Sequence, residues 1–183
     1  EATLLKTNGV YLITGGAGGL GFIFAKYLSE KYKATILLIG RSKFNTQIQE
    51  KITTVQSLGG QCMYFSADIT QRDELQKIFR EIKRTYPRIH GLIHAAGIIE
   101  DAYILLKKED YFRRVINTKV KGLINLDFVT RNEQLDFFCM FSSIAALMPN
   151  QGQSDYAAAN SFLDSFAGIR NHLKSKNQRF GIS

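Results

Sequence analysis

The sequence predicts an α/β fold built on a doubly wound parallel sheet, and three observations carry that reading. Short apolar runs alternate with longer amphipathic stretches along the whole chain; parallel strands need crossover helices, so β-α alternation is their signature. The first apolar run passes straight into Thr14-Gly15-Gly16-Ala17-Gly18-Gly19-Leu20-Gly21, the pattern of a strand that turns at once into a helix. The chain has 183 residues, 45% hydrophobic and 22% charged, which is enough for one domain with a sizeable core.

The elements follow in order. Residues 10–14 read as the first strand, with a glycine-rich turn and a helix through about Lys31. Residues 34–39 read as the second strand, followed by a polar helix near 44–57. Residues 62–66 form the third strand; Thr70 and Asp73 then give a start like a capping box to a helix ending near Tyr86. Residues 89–95 form the fourth strand, and 109–130 read as one helix. Residues 135–142 form the fifth strand and 154–174 the long helix after it. A sixth strand begins at 180–183. That late strand, with the absent initiator Met and absent signal-peptide layout, marks residues 1–183 as a single domain excised from a longer polypeptide. Whatever should cover the open sheet edge is expected beyond it.

The net charge of +8 raises the question of nucleic acid. The lysines and arginines are spread along polar helix faces, so a solvated surface is the simpler reading and no nucleic-acid partner is expected. Positive potential would also draw in a phosphate-rich cofactor or an acidic protein. No apolar run approaches the roughly 20 residues of a membrane helix. Cys62 and Cys139 lie isolated in apolar stretches, which reads as buried thiols in a reducing, cytoplasmic compartment. His90, His94 and His172 form no ligand cluster, and no metal is expected.

The glycine-rich segment reads as a phosphate loop. Gly15 permits the tight turn, Gly19 lets the backbone approach a pyrophosphate, and Gly21 allows close packing of helix on strand. Thr14, Gly16 and Leu20 complete the loop. The helix start supplies N–H donors and the positive end of a dipole. After the second strand comes Gly40-Arg41-Ser42, where an acidic residue would hold the ribose of NAD. Arg41 can instead pair with a 2′-phosphate and Ser42 can add a hydroxyl, so NADPH is favoured. Asp68, with Ile69 after the third strand, is placed to meet the adenine or to cap the next helix. Ala95, Ala96 and Gly97 would pass beneath the cofactor, while His94 reads as a packed core histidine.

Four side chains supply chemistry. Tyr156 and Asn160 lie one helical turn apart in Tyr-Ala-Ala-Ala-Asn and share a helix face. Ser143 follows the fifth strand, and Lys119 lies in Asn-Thr-Lys-Val-Lys-Gly. A phenol, a hydroxyl, an amide and an ammonium beside a dinucleotide loop make a proton-delivery set for a carbonyl. A free phenol titrates near 10, and bringing it near 7 asks about 4 kcal/mol of its surroundings.

Together these residues resemble the short-chain dehydrogenase/reductase family. The exchange of Tyr-x-x-x-Lys for Tyr156-x-x-x-Asn160, with the lysine at Lys119, is similar to the ketoreductase domain of modular polyketide synthases. The resemblance runs from Gly9 to Ser183 and implies a Rossmann-like sheet. It further implies NADPH-dependent reduction of a β-keto group carried on the phosphopantetheine of an acyl carrier protein, among neighbouring synthase domains. Lys119 would depress the phenol and hold the ribose, Ser143 would bind the carbonyl, Tyr156 would donate the proton, and Asn160 would position Lys119 or a relay water. Ser142 and Lys121 stand as alternatives to Ser143 and Lys119, and Asn160 as a structural residue. Ile99-Glu100-Asp101 keeps only the second aspartate of the family's Leu-Asp-Asp motif, and the chain has no Trp; both point to the D-alcohol, with Asp101 and Met148 as stereocontrol positions. Ala158 stands where epimerising relatives carry Pro. Two other readings remain: a stand-alone reductase of small ketones, and a structural fragment that binds nucleotide without turnover.

Overall fold

The computed structural model describes residues 4–183. Glu1-Ala2-Thr3, part of the N-terminus judged to lack a signal-peptide layout, lies outside them. The chain runs β1 (Val10–Thr14), α1 (Gly19–Tyr32), β2 (Thr35–Gly40), α2 (Thr46–Ser57), β3 (Gln61–Ser66), α3 (Arg72–Thr85), β4 (Gly91–His94) and α4 (Glu109–Ile116). A π-helical turn (Asn117–Lys121), α5 (Gly122–Thr130), β5 (Phe137–Met140), a 3₁₀ turn (Ile144–Ala146) and α6 (Ser154–Ser175) complete it. The sheet is parallel, in the order β3-β2-β1-β4-β5. The chain therefore winds outward from β1 to β3, then crosses back to β4 and β5. The reversal between β1 and β4 is where such sheets open a crevice at their carboxyl ends.

Both faces of the sheet are covered, as its strands' continuous apolar runs require. Val10 and Leu12 of β1 pack with Leu75 and Phe79 of α3, Leu123 and Leu126 of α5, and Leu163 of α6. Tyr11 and Ile13 point to the opposite face, against Ala25 and Leu28 of α1 and Ile48, Ile52 and Val55 of α2. Alternation along one strand thus feeds two cores.

Three expectations are corrected. Thr70 and Asp73 form no capping box. The cap of α3 is Gln71, with no side-chain bond. Instead Asp68 Oδ1 accepts the Thr70 N–H at 2.9 Å and Glu74 Oε2 accepts the Asp68 N–H at 3.0 Å, an Asx turn that displaces the box by two residues. The single helix of 109–130 carries a π turn in its middle. The segment 180–183 contributes one parallel bridge, Ile182 to Phe137, rather than a strand. Cys62 is buried; Cys139 is half-buried, and both are free thiols. No helix among the described residues is long and apolar enough to cross a membrane.

Candidate active site

A cleft of about 390 Å³ opens at the carboxyl ends of β1, β2 and β4, and Gly15, Gly19, Arg41, Ser42, Asp68, Ile69, Ala95, Ala96 and Gly97 all line it. Gly15 has φ +67°, and a Cβ there would sit 2.8 Å from the Ala96 backbone. A Cβ on Gly21 would come within 2.6 Å of the Gly15 carbonyl oxygen, so α1 seats on the loop only through glycine. Gly19 opens α1, and a Cβ there would meet nothing within 4 Å, leaving room for a ligand. The cap of α1 is Gly18, without a side-chain bond and with no acidic residue in the first turn. Its N–H donors are thus free for an anion.

Four loop residues stand apart from the cleft lining. Gly16 is pressed against Leu38, whose Cδ2 would lie 2.4 Å from a Cβ. Leu20 is 52% exposed on the outside of α1. Gly21 acts through packing. Thr14 is buried, its Oγ1 2.7 Å from His94 Nδ1, so its hydroxyl serves the core rather than the cleft.

The end of β2 presents Arg41 and Ser42 with no carboxylate beside them in Gly40-Arg41-Ser42. Tyr64 holds that turn by donating to the Ser42 carbonyl at 2.7 Å. Lys51 reaches from α2 to the Ala17 carbonyl in the glycine loop. A dinucleotide with an extra phosphate fits this donor set: free helix N–H groups for the pyrophosphate, and a guanidinium and hydroxyl beyond β2.

Lys119 lies in the π turn. The extra residue per turn rotates it inward, where it is 5% exposed. Its Nζ donates to the Phe141 carbonyl at 2.7 Å and lies 5.5 Å from the Tyr156 ring centroid. Burial lowers its pKa to about 8, against the opposing pull of Asp164. Lys121, the alternative, is exposed. His94 Nε2 lies 3.2 Å from the Lys119 carbonyl. Since a carbonyl only accepts, Nε2 carries the proton and Nδ1 accepts from Thr14. Burial holds His94 down to about 4.

Asn160 is fully buried. Its Nδ2 donates to the Tyr156 carbonyl at 2.7 Å, and its Oδ1 has no partner. It therefore does not hold Lys119 directly, as one branch of the sequence reading expected. Ser143 Oγ accepts the Ala145 N–H at 3.2 Å, which leaves its own proton free to donate. Ser142 instead donates to the Asn160 carbonyl at 3.3 Å, tying β5's end to α6. On the open side, Asp101 Oδ2 accepts from Gln153 Nε2 at 2.9 Å, and Met148 stands 70% exposed in the loop before α6.

Tyr64, Ala67 and Thr118 line the cleft without having been expected from the sequence. Tyr64 enters from β3 itself and Ala67 from the turn just after it, ahead of Asp68. Thr118 enters from the π turn, which no periodicity of side chains announces.

Comparison with known proteins agrees with this fold. The family model described as "KR domain" matches residues 9–181. "Polyketide synthase PksN" of Bacillus subtilis (strain 168) is 45% identical over 177 residues, covering 96% of this chain and 3% of that protein. The solved N-terminal ketoreductase from the macrolactin assembly line superposes with a TM-score of 0.92 at 40% identity, covering 98% of this chain and 36% of that one. A short-chain dehydrogenase/reductase from Mycobacterium ulcerans, 24% identical with a TM-score of 0.85 over 93% of this chain and 64% of its own, shares the fold. The chain thus spans a small part of the curated relative and about a third of the solved ketoreductase.

Proposed function

The chain belongs to the KR domain family, and from that membership and the cleft we propose that it is an NADPH-dependent ketoreductase of polyketide biosynthesis. It would reduce the β-keto group of an acyl thioester, held on a carrier protein's phosphopantetheine, to the D-alcohol. Neighbouring synthase domains would present and receive the chain in the cytoplasm. The observation that carries the reading is Lys119 Nζ lying 5.5 Å from the Tyr156 ring centroid while the Lys119 stem packs against Gly97 of the cleft lining.

Each residue has a task that its surroundings support. Gly15, Gly19 and the start of α1 would seat the pyrophosphate, Arg41 and Ser42 the 2′-phosphate, and Asp68 and Ile69 the adenine. Bound NADPH supplies the hydride. Ser143, with its proton free, hydrogen-bonds the substrate carbonyl oxygen. Tyr156 gives its proton to that oxygen as negative charge develops. Lys119 stabilises the phenolate left behind and holds the ribose hydroxyls. The orphan Oδ1 of Asn160, buried and in need of a donor, is the acceptor for a relay water that returns the proton. Asp101, tied to Gln153, and Met148 border the substrate's approach, and Asp101 favours the D-outcome.

The test is NADPH consumption with an N-acetylcysteamine β-ketothioester, followed by chiral analysis of the alcohol. Turnover that falls about 10²-fold or more in Tyr156→Phe supports the reading. Tyr156→Phe turning over within threefold of the unaltered protein would sink it.

A further inference from the structure

The segment between β4 and α4 is inside out. Ile104, Leu105 and Leu106 are 73%, 94% and 75% exposed. The next residue, Lys107, has a side chain only 3% exposed, and its Nζ lies 2.5 Å from Asp155 Oδ1, on a carboxylate 1% exposed. Apolar groups in water beside a buried ammonium reverse the ordinary preference. A buried ion pair is also costly, since desolvation offsets most of its attraction, and it is weak evidence of stability. Asp155 Oδ2 has no partner, so this pair is not tuned for stability either.

Position explains it better. Asp155 Oδ1 also accepts the backbone N–H of Tyr156 at 2.9 Å. Asp155 lies in the first turn of α6, where the helix dipole favours a negative charge. Two more bonds tie the same two stretches: Gln153 Nε2 to Asp101 Oδ2 at 2.9 Å, and Ala102 N–H to the Gly152 carbonyl at 3.1 Å. These three ties from residues 101–107 all land on the residues just before the phenol. The segment's Tyr103 and Ile104 line an opening together with Gly152 and Ala157, the latter one residue past Tyr156 on α6.

We propose that Lys107 and Asp155 form a positioning latch. The pair locks residues 101–107, a wall of the substrate opening, to the start of α6, and so fixes the wall's distance from Tyr156. This deepens the ketoreductase reading and rests on it. Hydride arrives from one fixed side, so the face of the carbonyl presented decides the product's hand. A wall free to slide against the proton donor would admit both faces.

The test compares the unaltered protein, Lys107→Arg, Lys107→Met/Asp155→Asn and Tyr156→Phe. The double variant leaves no lone buried charge, and Asn keeps an acceptor for the Tyr156 N–H. The expected results are NADPH affinity within about twofold, kcat down about tenfold at unchanged KM, and an enantiomeric ratio lowered about fivefold. Amide hydrogen exchange of residues 99–108 becomes faster, a readout that needs no turnover. Lys107→Arg keeps the cation and the original product ratio. The latch is overturned if the double variant retains kcat and product ratio, if exchange in 99–108 is unchanged, or if NADPH affinity is lost along with it. It is equally overturned if Lys107→Arg binds NADPH yet loses the product ratio. Tyr156→Phe separates the two ideas: its retained turnover rejects the ketoreductase assignment, whereas its loss beside an unaffected double variant rejects only the latch.

Discussion

Lys119 Nζ sits 5.5 Å from the centroid of the Tyr156 ring while donating to the Phe141 carbonyl at 2.7 Å, so the ammonium is anchored to β5's end and aimed across the face of the phenol. It reaches there from a π turn, not from the helix carrying the tyrosine. The cation is therefore placed by one backbone irregularity and held by one carbonyl.

That placement sets an alkaline limit. Lys119 titrates near 8 because burial outweighs the attraction of Asp164. Since the charged form is the useful one, kcat should fall as pH rises through about 8. Asp164→Asn removes the group that holds the proton on, so the limb should move to lower pH. The unfolded lysine titrates near 10.5, and the unfolded chain therefore binds more protons between about 8 and 10.5. The contribution of Lys119 to stability rises over that window, so its own deprotonation does not destabilise the fold there. A pH–rate profile of both proteins, beside a melting curve, checks this; a limb that stays or moves up refutes it.

Cofactor choice should rest on Arg41. Arg41→Ala is expected to weaken NADPH binding about tenfold or more while leaving NADH nearly unchanged, because only the former carries the 2′-phosphate. Fluorescence titration of the two cofactors gives the ratio directly.

His94 should make the fold acid-sensitive. Burial keeps it neutral down to about 4, whereas the unfolded chain takes up that proton near 6.5. Between those values the unfolded state binds more protons, so stability falls as pH falls, by about 3 kcal/mol in all. His94→Asn, which can accept from Thr14 and donate to the Lys119 carbonyl, should flatten this slope. Urea unfolding at pH 7 and 4.5 measures it.

Arg170 should be a structural keystone of α6. It is 2% exposed, pairs with Asp127, donates to Phe180 O at 3.0 Å and Ser183 Oγ at 2.9 Å, and stacks 4.3 Å from the Phe138 centroid. Arg170→Met leaves Asp127 with only Arg179 and should cost about 3 kcal/mol. Adding Asp127→Asn should recover part of the loss, as seen by thermal melts.

Most of the scaffold was legible because its signals are local. Strand-turn-helix glycines and apolar runs act over a few positions, and β1 emerged with the bounds read from the sequence. The misreadings came where two local signals competed. Asp68 and Thr70 both offer to start α3, and the Asx turn won because Glu74 could reach back to the Asp68 N–H. The site's residue types were legible too, since the cleft collects Gly15, Arg41, Ser42 and Ala96 from separate loops that all end at one edge of the sheet.

The sequence by itself determined the α/β alternation, the glycine-rich turn from β1 into α1 and the placing of Tyr156 and Asn160 on one helix face, because each depends on spacing within a short stretch of chain. Only the tertiary structure decided which lysine lies buried against Tyr156, what Asn160 touches, and that Lys107 is buried while Leu105 is not. Those outcomes depend on a π turn that rotates Lys119 inward and on contacts between segments far apart in the chain, and neither leaves a periodic trace in the residues themselves.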